Sequence, residues 1–155
     1  MKKLKRIILK FAYPIMKIYW FIFRPKTRGA KVIVTCNGET LLIRHSYGGS
    51  NWTFPGGGIK SGEGIITAGK RELQEELNIV VNDLVELGNF IRTEEYKIDT
   101  VFVLKVEISI ETKEMIKIDG VEIVEKAWFK LDNLPKLNQT NQKIVSFFLD
   151  KNMLQ

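Results

Sequence analysis

The chain has little of the two residue types that build disulfides and zinc sites. Among its 155 residues there is one cysteine, Cys36, and one histidine, His45. A single cysteine excludes a disulfide framework within the chain and is compatible with a reducing cytoplasm, which is where we expect the protein to act. Zinc and copper sites normally use histidine or cysteine ligands, so a metal site in this chain should rely on oxygen ligands.

Acidic residues are absent from the first 31 positions. This segment holds ten of the 24 lysine and arginine residues, whereas positions 32–155 hold 14 basic and 18 acidic residues. The formal net charge of +6 therefore belongs to the N-terminal segment, and the remainder is weakly acidic. This distribution argues against a basic groove across the whole domain, and we expect no specific binding of nucleic acid.

Long uninterrupted hydrophobic runs are also missing. The most apolar stretch, residues 1–28, is interrupted by Lys10, Pro14 and Lys17, whereas a membrane span takes about 20 mostly apolar residues. No small-residue cleavage site follows it, which disfavours a signal peptide. Apolar residues recur there with helical spacing above a basic edge. This pattern predicts an amphipathic helix that Pro14 kinks or divides near Tyr13.

Three interpretations of this helical extension stay open. It can lie on an anionic membrane surface, pack on the domain or on a second copy as a homodimer contact, or clamp an acidic substrate. Its charge and apolarity differ sharply from those of the rest of the chain. We therefore expect the extension to be separable from the chemistry.

Residues 29–155 predict one α/β domain. Asn37-Gly38 separates two β-branched runs, 30–35 and 40–45, and predicts a hairpin. The other predicted elements are strands at 52–55, 80–92, 100–110 and 125–130, and helices at 65–77 and 139–150. The second of these helices has an apolar face formed by Ile144, Val145, Phe148 and Leu149.

A glycine-rich turn leads into the helix predicted at 65–77. On that helix Glu72, Glu75 and Glu76 stand at i, i+3 and i+4, so their side chains share one face. Like charges one turn apart cost about 0.2–0.5 kcal/mol per pair on an exposed helix, so a cation is expected there. Clustered oxygen ligands suit a hard ion such as Mg²⁺ or Mn²⁺. The alternative is a solvated acidic helix end.

A longer pattern surrounds these glutamates: Gly57, five residues, Glu63, seven residues, then Arg71-Glu72-Leu73-x-Glu75-Glu76-x-Asn78-Ile79. It resembles the Nudix box, G-x5-E-x7-R-E-U-x-E-E-x-G-U, in which U is aliphatic. The one departure is Asn78 in place of the last glycine. Helices often end there in left-handed geometry, which asparagine tolerates best among the non-glycine residues.

The resemblance implies a Nudix-type α/β/α sandwich with a mixed β-sheet, preceded here by the N-terminal amphipathic helix. It implies that Glu72, Glu75 and Glu76, together with the backbone carbonyl of Gly57, bind Mg²⁺ or Mn²⁺. It also implies that Glu63 and Arg71 pair to brace the loop against the helix and to orient the glutamates.

Residues 121–135 resemble a second segment common in this family, in which an acidic residue six positions before a tryptophan can reach the metal. That residue is Glu122, and the tryptophan is Trp128. The alternative is a charged strand edge. Glu75 or Glu122 is the implied proton acceptor.

Five further residues are candidates for substrate contact: Arg44, His45, Trp52, Gly56 and Gly58. Arg44 can pair with a phosphate through two hydrogen bonds. His45 has the alternative of an ordinary surface or core residue, and Trp52 that of a core residue.

The implied function is metal-assisted hydrolysis of a phosphoanhydride bond in a nucleoside diphosphate-linked small molecule, such as a nucleoside triphosphate, a nucleotide sugar or ADP-ribose. The rival is a catalytically silent Nudix-like sensor or scaffold that binds a nucleotide. Retention of every box carboxylate favours the enzyme. The protein is expected in the cytoplasm, with a peripheral position at the inner face of the membrane if the extension binds lipid.

Overall fold

Helices are interspersed with single strands and pairs of strands in a computed structural model that describes residues 2–47, 51–93, 96–118 and 120–152. In chain order the elements are α1 (Lys2–Phe23), β1 (Lys26–Cys36), β2 (Glu39–His45), α2 (Ile65–Leu77), β3 (Val85–Arg92), β4 (Ile98–Glu107), α3 (Ile110–Met115), β5 (Ile123–Lys130) and α4 (Gln139–Asn152).

The five strands form one mixed sheet in the order β3-β4-β1-β2-β5. β1 and β4 run parallel from Lys26 opposite Ile98 to Thr35 opposite Glu107, and the other neighbouring strands are antiparallel. The turn between β1 and β2 has φ of 50° at Asn37 and 77° at Gly38, as a two-residue hairpin requires. The mixed sheet is therefore confirmed.

Two apolar clusters lie on opposite faces of this sheet, because successive strand residues point to opposite sides. Val32 packs with Leu73 of α2 in one cluster, and Ile33 packs with Ile144 of α4 in the other. The α/β/α sandwich is thus confirmed. Of the predicted apolar face of α4, Ile144 and Phe148 are buried, whereas 47% of Leu149 is exposed near the end of the helix.

α2 covers the predicted residues, and local geometry explains both ends. It follows Gly64 in extended conformation and stops at Asn78, where φ is 56° and ψ is 36°. In its middle, Gly69 lets the helix approach the sheet, because an added Cβ would lie 2.5 Å from Leu104 Cδ1 and 2.9 Å from Leu84 Cδ1. The helix that carries the box glutamates is therefore held at a fixed height above the sheet.

The strand boundaries differ from the sequence-based expectations in several places. β1 begins at Lys26, so residues 26–28, which were expected in the helical extension, belong to the sheet and pair with β4. β4 ends at Glu107 because Ser109 caps α3, its Oγ accepting a hydrogen bond from Thr112 N at 3.2 Å. β3 begins five residues later than expected, at Val85. The strand expected at 52–55 is reduced to one bridge between Thr53 and Ile43.

The N-terminal extension forms one helix, α1, with Pro14 inside it. Of the predicted kink or division near Tyr13, the division does not occur, since the loss of one backbone donor does not end a helix whose turns continue on both sides. α1 stops where Arg24 adopts a φ of 44° and Pro25 follows. In the parts of the chain that the structure describes, no helix is both long enough and apolar enough to cross a membrane.

Candidate active site

The candidate site lies where β1 and β2 separate. Their backbones pair at only two positions next to the hairpin turn, and the glycine-rich loop fills the gap that opens beyond them. Ala30 N donates to Gly57 O and Val32 N donates to Pro55 O, each at 2.9 Å. The loop is thereby fixed along β1 and presented to α2.

Arg71 joins this loop to α2. Its Nε and Nη2 donate to the two carboxylate oxygens of Glu63 at 2.8 and 3.0 Å, and Nη2 also donates to Gly58 O at 2.8 Å. The hydrogen bonds from Arg71 lower the pKa of Glu63 to about 2, and those to Glu63 raise the pKa of Arg71. The structure thus places Glu63 and Arg71 in a bidentate ion pair between loop and helix.

Glu72 lies directly against the glycine loop. Arg71 Nη1 donates to Glu72 Oε1 at 2.6 Å, and burial raises the pKa of the Glu72 carboxyl against the effect of that bond. A Cβ added at Gly57 would lie 2.7 Å from Glu72 Oε1. The space that holds the Glu72 carboxylate therefore exists because position 57 has no side chain.

Glu76 is the most deeply buried of the box carboxylates, with 5% of its side chain exposed. Gly56 N donates to its Oε2 at 2.7 Å. Burial raises the pKa of Glu76 to about 8, against the opposing effects of the Lys31 charge and the Gly56 N–H. A nearby cation would stabilise the ionised form of this buried carboxyl and so lower its pKa.

Lys31 is a residue of this site that the sequence analysis missed. Its Nζ donates to Phe54 O at 3.0 Å and to Gly56 O at 2.6 Å, and burial lowers its pKa. Lys31 thus ties the glycine loop to β1, and its charge acts on Glu76. A signal was present, since this lysine interrupts the β-branched run at 30–35, where a buried charge needs a partner.

The other two candidate carboxylates are more exposed. Glu75 has 55% of its side chain exposed and lies 4.0 Å from Lys60 Nζ. Glu122 accepts a hydrogen bond from Tyr47 Oη at 2.5 Å, and its charge also raises the pKa of Glu76. Burial, followed by the bond to Glu122, raises the pKa of Tyr47, so the phenol stays protonated at neutral pH and acts as the donor.

Of the side chains predicted to contact substrate, His45 lies next to a box glutamate, whereas Arg44 and Trp52 do not. Arg44 pairs with Glu125 at 2.8 Å, and its guanidinium lies 4.3 Å from the ring centroid of Trp52. Trp52 is buried in the cluster beneath α4, so neither residue is directed at the box glutamates. His45 is brought to the site, with Nε2 4.0 Å from Glu76 Oε1. Burial lowers its pKa to about 4, so His45 is neutral at neutral pH.

Gly56 and Gly58 serve the architecture of the loop in this structure. The N–H of Gly56 is bonded to Glu76 and its carbonyl to Lys31, while the carbonyl of Gly58 accepts from Arg71. A Cβ at Gly56 would also lie 2.2 Å from Ala30 O. These glycines hold the loop and its partners in place.

A cavity of about 820 Å³ adjoins the loop, which is within the range of about 300–1,000 Å³ typical of small-molecule sites. Among the described lining residues one is acidic, Asp99, and its carboxylate pairs with Arg92 at 2.8 Å. The basic lining residues are Lys26, Arg28, Lys31, Lys60, Arg92 and Lys97. The cavity therefore suits an anionic ligand.

α1 supplies part of the wall of this cavity through Ala12, Tyr13, Met16 and Trp20. The sequence predicts that the extension is separable from the chemistry of the domain. In the structure one face of α1 lies beside the glycine loop and forms part of the cavity wall, so that prediction loses its basis.

The site fits a hard divalent cation. Its donors are carboxylate and carbonyl oxygens, burial raises the pKa of Glu76 in spite of the Lys31 charge, and the missing side chain at Gly57 makes room for Glu72. Within the described residues, Arg71 and Lys31 are the cations that act on Glu72 and Glu76, and no three acidic, histidine or cysteine side chains converge on one point.

An α/β/α sandwich in which an arginine braces an acidic helix against a glycine-rich loop defines the Nudix class of folds. The chain belongs to the Nudix family, because the family profile described as NUDIX domain matches residues 25–148.

Individual relatives agree with this assignment. The chain is 32% identical over 117 residues to an RNA pyrophosphohydrolase from Actinobacillus pleuropneumoniae, covering 72% of this chain and 50% of that protein. It is 41% identical over 72 residues to an 8-oxo-dGTP diphosphatase from Buchnera aphidicola, covering 43% of this chain and 55% of that protein. The chain thus spans about half the length of these curated relatives.

Solved structures show the same fold. A MutT protein from Methanosarcina mazei superposes with a TM-score of 0.72 at 20% identity, covering 84% of this chain and 97% of that chain. This similarity extends over nearly the whole of that protein and supports the fold.

Proposed function

We propose that this chain is a divalent-metal-dependent hydrolase that cleaves a phosphoanhydride bond in a nucleoside diphosphate-linked small molecule, such as a nucleoside triphosphate, a nucleotide sugar or ADP-ribose. The observation that carries the proposal is the acidic face of α2, which Arg71 and Glu63 brace against the glycine loop beside a basic cavity. Relatives described as a pyrophosphohydrolase and a diphosphatase support the reaction class.

Glu72, Glu75, Glu76 and the Gly57 carbonyl would hold Mg²⁺ or Mn²⁺, with Glu122 as a further candidate ligand. Such an ion neutralises a diphosphate and lowers the pKa of a bound water. The Gly57 carbonyl accepts a hydrogen bond from Ala30 N and retains a second lone pair.

The surrounding residues position this donor set. Arg71 orients Glu72 and Glu75 by donating to both, at 2.6 and 3.3 Å. Lys31 fixes the loop through Gly56 O. Glu75, on the open side of α2, or Glu122, held by Tyr47, accepts the proton.

The test is a phosphate-release screen over nucleoside triphosphates, nucleotide sugars, dinucleoside polyphosphates and ADP-ribose, each with Mg²⁺ and with EDTA. We expect at least one compound of the panel to be hydrolysed with Mg²⁺, and we expect EDTA to abolish that hydrolysis. Silence across the panel, together with no Mg²⁺ binding by calorimetry, would overturn the proposal and favour the nucleotide sensor or scaffold.

We further propose that the outer face of α1 contacts an anionic membrane surface. Phe11, Ile15 and Ile22 share one helical face and are 72%, 67% and 64% exposed. The first 31 residues carry ten basic side chains and no acidic one. An exposed apolar face within a basic segment is typical of interfacial helices.

A further inference from the structure

The inner face of α1 carries two aromatic side chains and lines the cavity beside the glycine loop. Tyr13 and Trp20 are seven positions apart on one side of the helix and are half-buried. Their ring centroids lie 6.3 Å apart in an edge-on arrangement, and the ring of Tyr13 lies 5.6 Å from that of Tyr47. The Trp20 ring also contacts the body of the domain, since Lys97 Nζ lies 4.1 Å from its centroid.

These contacts continue to the box carboxylates. The ring of Tyr47 lies 5.4 Å from that of His45, and His45 Nε2 lies 4.0 Å from Glu76 Oε1. A row of rings therefore runs from Trp20 on α1 to the carboxylate side of the site. The same cavity is lined by Tyr13, Trp20 and the glycine loop.

The composition of the wall indicates what it can hold. The large aliphatic side chains Ile15, Ile18 and Ile22 of α1 are 60–67% exposed, and the described lining includes none of them. The helix instead offers the aromatic rings of Tyr13 and Trp20, together with Ala12 and Met16, beside basic side chains. Aromatic faces stack on planar rings, and lysine and arginine bind phosphate. This combination suits a nucleotide better than an alkyl diphosphate.

We propose that α1 completes the substrate pocket, and that Tyr13 and Trp20 form an aromatic wall for the base of a nucleotide whose phosphates extend along the glycine loop towards Glu72 and Glu76. The reaction that follows rests on the proposed function, but the binding contact does not. α1 would then select substrates with its inner face while its outer face remains available for the membrane.

The first test separates binding from chemistry in the full chain. Trp20→Leu and Tyr13→Leu should raise KM for the best nucleotide substrate about tenfold or more and leave kcat nearly unchanged, because a stacking contact is made before and during the reaction. Trp20→Phe, which keeps a ring, should recover most of the loss. Phe11→Leu is the matched control, since Phe11 lies on the exposed outer face of the same helix and should match the wild type.

Circular dichroism of each variant would confirm that α1 is retained. Unchanged KM in both Trp20→Leu and Tyr13→Leu would overturn the wall, as would an equal rise in Phe11→Leu. Either result leaves the hydrolase proposal intact.

A binding measurement keeps the wall testable if no substrate is hydrolysed. The probes are α,β-methylene nucleoside triphosphates and decyl diphosphate, titrated against the wild type and Trp20→Leu. Nucleotide binding that weakens about tenfold or more in Trp20→Leu supports the wall. No nucleotide binding by the wild type, or Trp20-dependent binding of decyl diphosphate alone, would overturn it.

Discussion

The position of the Glu72 carboxylate depends on a single residue, Gly57. The adjacent Gly58 provides a matched control for a substitution at Gly57. Gly57 and Gly58 both lie outside the left-handed region, so alanine is conformationally allowed at each. A Cβ at Gly57 would lie 2.7 Å from Glu72 Oε1, whereas a Cβ at Gly58 meets no heavy atom of the described residues within 4 Å.

We expect Gly57→Ala to lower kcat about a hundredfold, because a small displacement of a positioned group costs this much. Stability should change little, since the obstacle is the end of a flexible side chain. Gly58→Ala should keep most of the wild-type turnover. Equal activity of the two variants in a steady-state assay would show that Glu72 does not need its observed position.

The buried Glu76 carboxyl predicts a pH dependence of stability in the metal-free protein. Its pKa is about 8 in the folded state against an ordinary value of 4.5, so the folded state binds this proton more tightly. The contribution of protonated Glu76 to the free energy of unfolding is complete below about pH 4.5 and is lost as the pH rises through about 8. His45, with a pKa lowered to about 4 from 6.5, acts in the opposite direction between those two values.

The window to measure is therefore pH 6.5 to 8, above the range of His45, and Lys31, whose pKa burial lowers, is common to both proteins in the comparison. In EDTA, urea unfolding should show the wild type losing about 1–2 kcal/mol across this window relative to Glu76→Gln. Glu75→Gln, which changes a carboxylate that is 55% exposed, serves as the control and should follow the wild type. Parallel curves for the wild type and Glu76→Gln would contradict the burial of a protonated carboxyl.

The sequence predicted the box residues because their spacing is local and dictated by one loop and one helix. Arg71 and Glu63 form the implied pair in the structure. Lys31, Tyr47 and Trp20 reach the site from other parts of the chain, and their positions depend on how β1, β2 and α1 pack. No motif marks these positions, and the one signal in the sequence is the charge of Lys31 within a β-branched run.

At the scale of elements, the height of α2 above the sheet is set by Gly69. An alanine there would place its Cβ 2.5 Å from Leu104 Cδ1 in a filled core. Overpacking costs about 1–3 kcal/mol, which outweighs the gain of about 0.5–1 kcal/mol from replacing a glycine within a helix.

Gly69→Ala should therefore lower the free energy of unfolding, as measured with urea. Gln74→Ala, on the exposed side of the same helix, should be neutral or slightly stabilising. A more stable Gly69→Ala protein would mean that the helix can move away from the sheet without cost.

The observed ends of helices and strands agree with the predicted ends where local backbone geometry determines them. They differ where a distant strand or side chain determines them. α2 starts and stops at Gly64 and Asn78, as their backbone preferences indicate. β1 extends back to Lys26 because β4 offers a parallel partner along its whole length, which sequence pattern alone does not show. β4 ends earlier than its apolar pattern predicts because Ser109 caps α3.

For the whole molecule, the two faces of α1 make distinct predictions. If the outer face binds membrane, the full-length protein should sediment with phosphatidylglycerol vesicles at low salt and dissociate as salt is added. Each basic residue near such a surface contributes about 1 kcal/mol, and the Debye length falls to about 10 Å at 0.1 M salt. Phosphatidylcholine vesicles are the neutral control.

Absence of vesicle binding at low salt in a monodisperse monomer would contradict the membrane contact. A doubled mass in light scattering that Ile15→Gln and Ile22→Gln reduce to the monomer value would instead assign the same face to a second copy of the chain.

In the proposed function, the carboxylates of α2 support phosphoanhydride hydrolysis with a divalent metal. The most direct measurement is kcat at saturating Mg²⁺, on the best substrate of the screen, for Glu75→Gln and Glu76→Gln, with Glu114→Gln on exposed α3 as the control. We predict a loss of at least about a hundredfold in both box variants, with unchanged circular dichroism, and wild-type turnover in the control. Near-wild-type turnover in a folded Glu75→Gln or Glu76→Gln protein would contradict this account.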